Sequence, residues 1–288
     1  MSQKATEMQR KFMRTGSRGK DIFKPMNTGW LDDNVAALRE WAANIFFYRK
    51  DGETIMIDAG YSYPGLKEKM GWLGITPGEI KDILITHEDT DHIGAVEDDS
   101  DHLFEDARLY ISEEENRYLT GERRRKTFFG LYRLEQVHVG NRRTLLHDGD
   151  VFHIGSIKVE AFLVPGHTWG HTNYLIDDEY MFTGDSIWLG KDGGCSFLST
   201  LAESNRVAVA ELSTFREKLE KRNLHPLFIT GHTGATDNTE FTFRHTGTPA
   251  SIFKKRVSDP SAPYDPYDES DDTEEMARGK RLELVTAE

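Results

Sequence analysis

Thr86-His87-Glu88-Asp89-Thr90-Asp91-His92-Ile93-Gly94 sets four side chains able to bind a metal within six positions, directly behind the apolar run Ile83-Leu84-Ile85. A run of that length reads as a buried strand. Side chains alternate along an extended chain, so His87, Asp89 and Asp91 leave its end pointing the same way. A turn into helix at Asp91 lets that residue cap the helix while His92 opens a second direction. The same pattern, an apolar strand followed at once by a Gly-flanked His or Asp, recurs at Asp58, His167, Asp185 and His232. Strand ends gather at one rim of a sheet, so residues far apart in sequence are expected to meet there. Three histidines (His87, His167, His232) with His92, and three carboxylates (Asp89, Asp91, Asp185), are about the number of donors that two zinc, iron or manganese ions require.

These motifs resemble those of the metallo-β-lactamase superfamily. Asp58 matches the family's early strand-end Asp, and the 87–92 stretch its HxHxDH. Pro165-Gly166-His167-Thr168-Trp169-Gly170-His171 matches PGHTxGH, Thr183-Gly184-Asp185 the bridging Asp, and Gly231-His232 the last metal histidine. The resemblance covers roughly residues 44–234. It implies an αββα four-layer sandwich, with two mixed β-sheets face to face and helices on the outer faces. It implies further that His87 and His167 hold one divalent ion and Asp91, His92 and His232 another, with Asp185 bridging. Asp58 and His171 then support the ligands from behind, and Asp91 and Asp185 are the residues expected to bear on catalysis. The implied reaction is attack by a metal-bridging hydroxide on a small-molecule ester, lactone, thioester or phosphoester. A di-iron oxidoreductase resembling the flavodiiron type and a non-catalytic binding member are the alternatives.

Asp89 departs from the pattern, since it stands where the family has its second histidine. Two divalent ions against Asp89, Asp91, Asp185 and a bridging hydroxide leave the centre neutral, where histidine would leave it at +1. The cofactors expected are two divalent ions, zinc first, with iron or manganese admitted because an extra carboxylate favours harder ions.

The remaining chain supplies the frame. Asn44-Ile45-Phe46-Phe47-Tyr48 and Thr54-Ile55-Met56-Ile57 flank Asp51-Gly52 and predict a hairpin. A second hairpin is expected at 151–164 around Gly155-Ser156, a short helix at 32–41, and a longer amphipathic one at 203–222. The 288 residues, 37% hydrophobic and 30% charged, suit one large globular domain. Its expected limits are 30–257, with an insertion at about 113–143, a basic arm at 1–29, and an acidic, Pro-rich, disordered tail at 258–288. In the insertion, Arg123-Arg124-Arg125-Lys126 is a candidate contact for an anionic substrate, and Phe128, Phe129 and Tyr132 for the wall of a pocket. A net charge of −13 argues against nucleic acid. The single cysteine, Cys195, excludes an internal disulfide and suits a reducing compartment. Neither a long apolar run nor a signal-like apolar segment occurs, so the expectation is a cytoplasmic protein with a small-molecule substrate and no membrane partner. The substrate itself and the oligomeric state have no sequence signature.

Overall fold

A computed structural model describes residues 23–62, 64–250 and 268–286. Residues 1–22 and 251–267, which include most of the expected basic arm and the first part of the expected acidic tail, lie outside the described residues.

Two mixed sheets face each other. The first has seven strands in the order Gly29–Trp30, Val35–Glu40, Ala43–Lys50, Glu53–Ile57, Asp82–Leu84, Arg108–Ser112 and Arg143–Leu146. Its first three pairings are antiparallel and its last three parallel. The second has six, in the order Val151–Ile154, Ile157–Leu163, Thr172–Ile176, Tyr180–Phe182, Leu227–Ile229 and Ala235–Thr236. Only its Tyr180–Phe182 and Leu227–Ile229 pairing is parallel.

The period-two alternation of the strands divides their side chains among three cores. Ile45, Phe47, Met56 and Ile83 face outward onto Leu66 and Met70 of the helix Leu66–Trp72. Phe46, Tyr48, Ile55 and Ile57 face inward and meet Val159, Tyr174, Ile176 and Phe182 of the second sheet. On the far side, Phe162, Leu175, Met181 and Phe228 pack against Leu212, Phe215 and Leu219 of the helix Asn205–Lys221. Helix, sheet, sheet and helix form the four expected layers. The hairpin at Asp51-Gly52 has both turn residues at positive φ (51° and 86°), the twist that a two-residue connection needs.

Residues 32–41 are a correction. Their Ala, Leu, Arg and Glu favour helix intrinsically, yet Val35–Glu40 is a fully buried strand. Val35 and Ala37 enter the inter-sheet core while Ala36 and Leu38 enter the outer one. Two-sided burial outweighs propensity differences of a few tenths of a kcal/mol per residue. A three-stranded sheet of Ile187–Gly190, Gly193–Ser196 and His245–Pro249, carrying the buried Cys195, was also not anticipated.

The described part of the tail, 268–286, is docked rather than disordered. Two buried cations receive it: Arg39 pairs with Asp271 (2.9 Å), and Lys69 with Glu269 (2.8 Å) and Asp272 (2.7 Å). Asp272 also accepts from the Thr28 amide and hydroxyl. The helix Glu274–Gly279 follows, capped by Thr273. The acidic residues that suggested disorder are what anchors the segment. Asp272→Ala is expected to lower stability by about 3 kcal/mol, as breaking a buried pair does; denaturant unfolding measures this, and a loss below about 0.5 kcal/mol, the range of neutral surface changes, would show that the tail adds nothing.

Candidate metal centre

Five chain segments converge at one rim of the sandwich. His87 follows the strand Asp82–Leu84, while Asp91 and His92 lie in the four-residue helix Thr90–Ile93. His167 sits in the loop after Ile157–Leu163, Asp185 follows Tyr180–Phe182, and His232 follows Leu227–Ile229. Two glycines permit the closeness. A Cβ on Gly184 (φ 45°) would lie 2.6 Å from Thr86 Oγ1, and one on Gly231 would lie 2.9 Å from the His92 ring.

The donor atoms fall into two groups. His87, His167 and Asp185 present atoms within 4.8 Å of one another, and so do Asp91, His92 and His232. Asp185 faces both. Its Oδ1 is 3.3 Å from the Nε2 atoms of His92 and His232, and its Oδ2 is 3.5 Å from His167 Nε2 and 3.9 Å from His87 Nε2. His232 Nε2 is also 3.3 Å from His92 Nε2 and from Asp91 Oδ2. Donors about 2.0–2.1 Å from a tetrahedral ion stand ~3.3 Å apart, so these spacings are those of atoms arranged to share a cation.

Hydrogen-bond partners behind the rings assign their tautomers. His92 Nδ1 donates to Asp58 Oδ2 (2.7 Å), His232 Nδ1 to the Ala42 carbonyl (2.6 Å), and His87 Nδ1 to Thr86 Oγ1 (3.0 Å). Each Nε2 is thereby left with its lone pair aimed inward. His87 Nε2 and Asp185 Oδ1 are buried and have no hydrogen-bond partner among the described residues, the mark of a donor set shaped for a metal ion. Asp58 further accepts from the Thr86 amide (2.8 Å) and so ties the two ends of the 86–92 segment together. His171 stands apart: its Nε2 accepts from the Asp185 amide (3.0 Å), and it positions that loop.

The electrostatics favour a positive charge between the rings. Burial pushes the His232 imidazole down, but Asp185 and Asp91 outweigh it and lift it to about 10. His92 rises for the same reason, with Asp58 contributing. Burial and the Arg125 guanidinium lower His167 to about 4, so it is neutral at pH 7, the form that ligates.

Two residues of the insertion belong to this centre and carry no motif. Arg125, only 2% exposed, grips Asp89 with two prongs, Nε to Oδ1 at 2.6 Å and Nη2 to Oδ2 at 2.8 Å. Burial raises the Asp89 carboxyl, but the guanidinium overrides this and holds it well below the usual range. Asp89 Oδ2 still lies 3.1 Å from His167 Nε2 and 3.6 Å from His87 Nε2. Glu115, from the helix Glu113–Leu119, accepts from the Glu88 amide (2.8 Å), the Thr168 hydroxyl (2.6 Å) and the Gly170 amide (3.1 Å). It thereby locks the 87–92 loop to the 165–171 loop, and burial lifts its own carboxyl to about 7. The only hint in the sequence is a carboxylate and a cation placed inside an otherwise surface-like charged run.

The substrate roles anticipated for the insertion change accordingly. Arg125 is consumed by Asp89, and Arg123 pairs with Glu114 (3.2 Å). Phe129 and Tyr132 point into solvent instead of walling a pocket. Phe197 and Phe23 line the centre in their place, their rings 5.2 Å from His167 and 5.0 Å from His232. Phe23 lies in what was read as a peripheral arm. The opening is on the carboxylate side, where the Asp89 and Asp91 side chains are 14% and 18% exposed while the four imidazoles are at most 2%. A cavity of about 660 Å³ lies beside Glu97, Asp98 and Arg133 and includes none of these donors.

Comparisons with known proteins agree with this fold. A metallo-beta-lactamase family protein from Thermus thermophilus superposes with a TM-score of 0.53 at 20% identity, over 70% of this chain and 72% of that one. A probable metallo-hydrolase of Bacillus subtilis strain 168 is 26% identical over 68% of this chain and 87% of its own length. A hydroxyacylglutathione hydrolase of Buchnera aphidicola is 31% identical, but over only 51% of this chain and 47% of its own length. Residues 38–242, well over half of the sequence, match the family described as the metallo-beta-lactamase superfamily, and the chain belongs to that superfamily.

Proposed function

We propose that this chain is a dinuclear metal-dependent hydrolase of a small-molecule acyl compound, with a thioester as the first candidate. The observation that carries the reading is the Asp185 carboxylate, which turns one oxygen to His92 and His232 and the other to His87 and His167. In this reading Asp91, His92 and His232 would hold one cation and His87, His167 and Asp89 the other, with Asp185 facing both groups. Zinc suits two histidines with carboxylate oxygens, and the Asp89 oxygen admits manganese or iron. Divalent cations supply Lewis acidity toward a carbonyl and make water a usable nucleophile near neutral pH.

The protein's own part is placement. Asp58, Thr86 and the Ala42 carbonyl keep the imidazole lone pairs pointing inward. Phe23 and Phe197 exclude water from the deep side, and the carboxylate of Asp91, at the opening, would take the proton of an attacking water. The thioester preference rests on the Buchnera relative, named for hydrolysis of an acyl-glutathione.

Protein purified without added metal should contain two divalent ions per chain. It should hydrolyse thioester reporters in preference to phosphodiesters, lose this activity on chelation and regain it on adding zinc or manganese. Iron accompanied by oxygen consumption, with no hydrolysis of any reporter, would overturn the reading.

A further inference from the structure

Arg125 poses a problem that the family pattern does not. A permanently charged guanidinium is buried beside the place where a cation is to bind, a location that opposes both its own burial and the metal. Its donors show how the two coexist. Nη2 lies near three acceptors, Asp89 Oδ2 (2.8 Å), the Leu201 carbonyl (2.8 Å) and His167 Nε2 (3.2 Å), yet it has only two hydrogens. Asp89 and Leu201 satisfy both. Nε is taken by Asp89 Oδ1 and Nη1 donates to the Lys126 carbonyl (2.9 Å). The guanidinium is therefore fixed without using His167, whose lone pair stays free. Asp89 Oδ2 has a second lone pair to offer toward His87 and His167, because a carboxylate oxygen accepts more than one partner.

We propose that Asp89 and Arg125 act as one unit standing in for a neutral imidazole: Asp89 Oδ2 serves as the ligand atom, and Arg125 aims it and cancels its charge. The inference rests on the two-cation reading above. Two divalent ions with Asp89, Asp91 and Asp185 sum to +1, and Arg125 brings the centre to +2. Histidine at position 89 with no guanidinium also gives +2. The carboxylate alone would leave the centre one unit too negative, which is the imbalance that the sequence suggested. Arg125 is thus a positioning residue, supplied by the insertion, that keeps a zinc-like charge around an oxygen-rich donor set.

The test is a double-substitution cycle on chelated protein, titrated with zinc and with manganese against a competing chelator, with melting temperature as the check on folding. Asp89→His alone strands the guanidinium beside the centre, and one of the two zinc affinities should fall about tenfold or more. Arg125→Met leaves Asp89 unbalanced, and one site should shift its preference from zinc toward manganese by about tenfold. The double variant D89H/R125M should return to within about threefold of the parent, as a coupled pair requires. Arg125→Lys, which keeps the charge, should retain the parental preference and serves where Arg125→Met does not fold. Asp89→His and D89H/R125M binding zinc equally, or Arg125→Met and Arg125→Lys having the same metal preference, would overturn the unit while leaving the two-cation site intact. A parent chain that binds no divalent ion would overturn both.

Discussion

His167→Ala is expected to leave one cation per chain instead of two and to cut metal-dependent thioester hydrolysis well beyond the ~10–100-fold seen when only a partner behind a ligand is lost. The imidazole is neutral at pH 7 because burial and Arg125 hold its pKa near 4, so its lone pair is available throughout the working range. Its Nε2 is 3.1 Å from Asp89 and 3.5 Å from Asp185, and among the described residues His87 is the other nitrogen donor of that group. Alanine removes the donor and leaves a ring-sized gap beside Phe197, which costs the chelated protein about 2–3 kcal/mol. Arg125 keeps Asp89, Leu201 and Lys126 as acceptors, so the insertion stays anchored. Elemental analysis after gel filtration, read beside the turnover rate, separates loss of the ion from loss of the fold. Two ions and undiminished turnover would refute the ligand role of His167.

How far the fold could be read from the sequence depended on where burial and local signal agreed. The hairpins at Asp51-Gly52 and Gly155-Ser156 were legible because turn residues and alternation point the same way. Val35–Glu40 was not, since a strand buried on both faces shows no alternation and its residues individually favour helix. The tail was misread for a different reason. Composition reports whether a segment can bury apolar surface, whereas residues 268–286 are held by Arg39 and Lys69, cations roughly 200 positions or more away. Nothing local to either segment records such a pair.

The centre shows the same division. His87, Asp91, His92, His167, Asp185 and His232 each sit just past an apolar strand beside a glycine or in a strand-end turn, so topology alone predicts their meeting, and the structure brings them together. Arg125 and Glu115 lie in a charged insertion whose charged residues resemble surface. Their roles come from burial, and burial there follows from contacts with Asp89, Leu201, Thr168 and Gly170 that no periodicity encodes. The charge count made from the sequence left out Arg125, which the structure places against Asp89.

Asp58→Asn should weaken the other ion or cost stability. The native carboxylate receives three donors: the Thr86 amide, the Thr86 hydroxyl and His92 Nδ1. Asparagine fits the backbone, since it tolerates the left-handed φ of 58° found here. Its amide, however, offers one oxygen and one NH2 where two oxygens are needed. With the NH2 toward His92, the ring must move its proton to Nε2, and that proton then occupies the lone pair facing His232 and Asp185. With the NH2 toward Thr86, two donors confront each other in a buried site, at a cost of about 1–3 kcal/mol. The first arrangement spares stability and sacrifices the cation, and the second does the reverse. Metal titration and denaturant unfolding together should therefore show a ~10–100-fold weaker ion, a loss of at least about 1 kcal/mol, or part of each. Native values of both would contradict the role given to Asp58. Because His92 belongs with Asp91 and His232, the ion weakened here is the one that His167→Ala retains. Two single variants that each keep a different ion are the result expected of a centre that holds two cations.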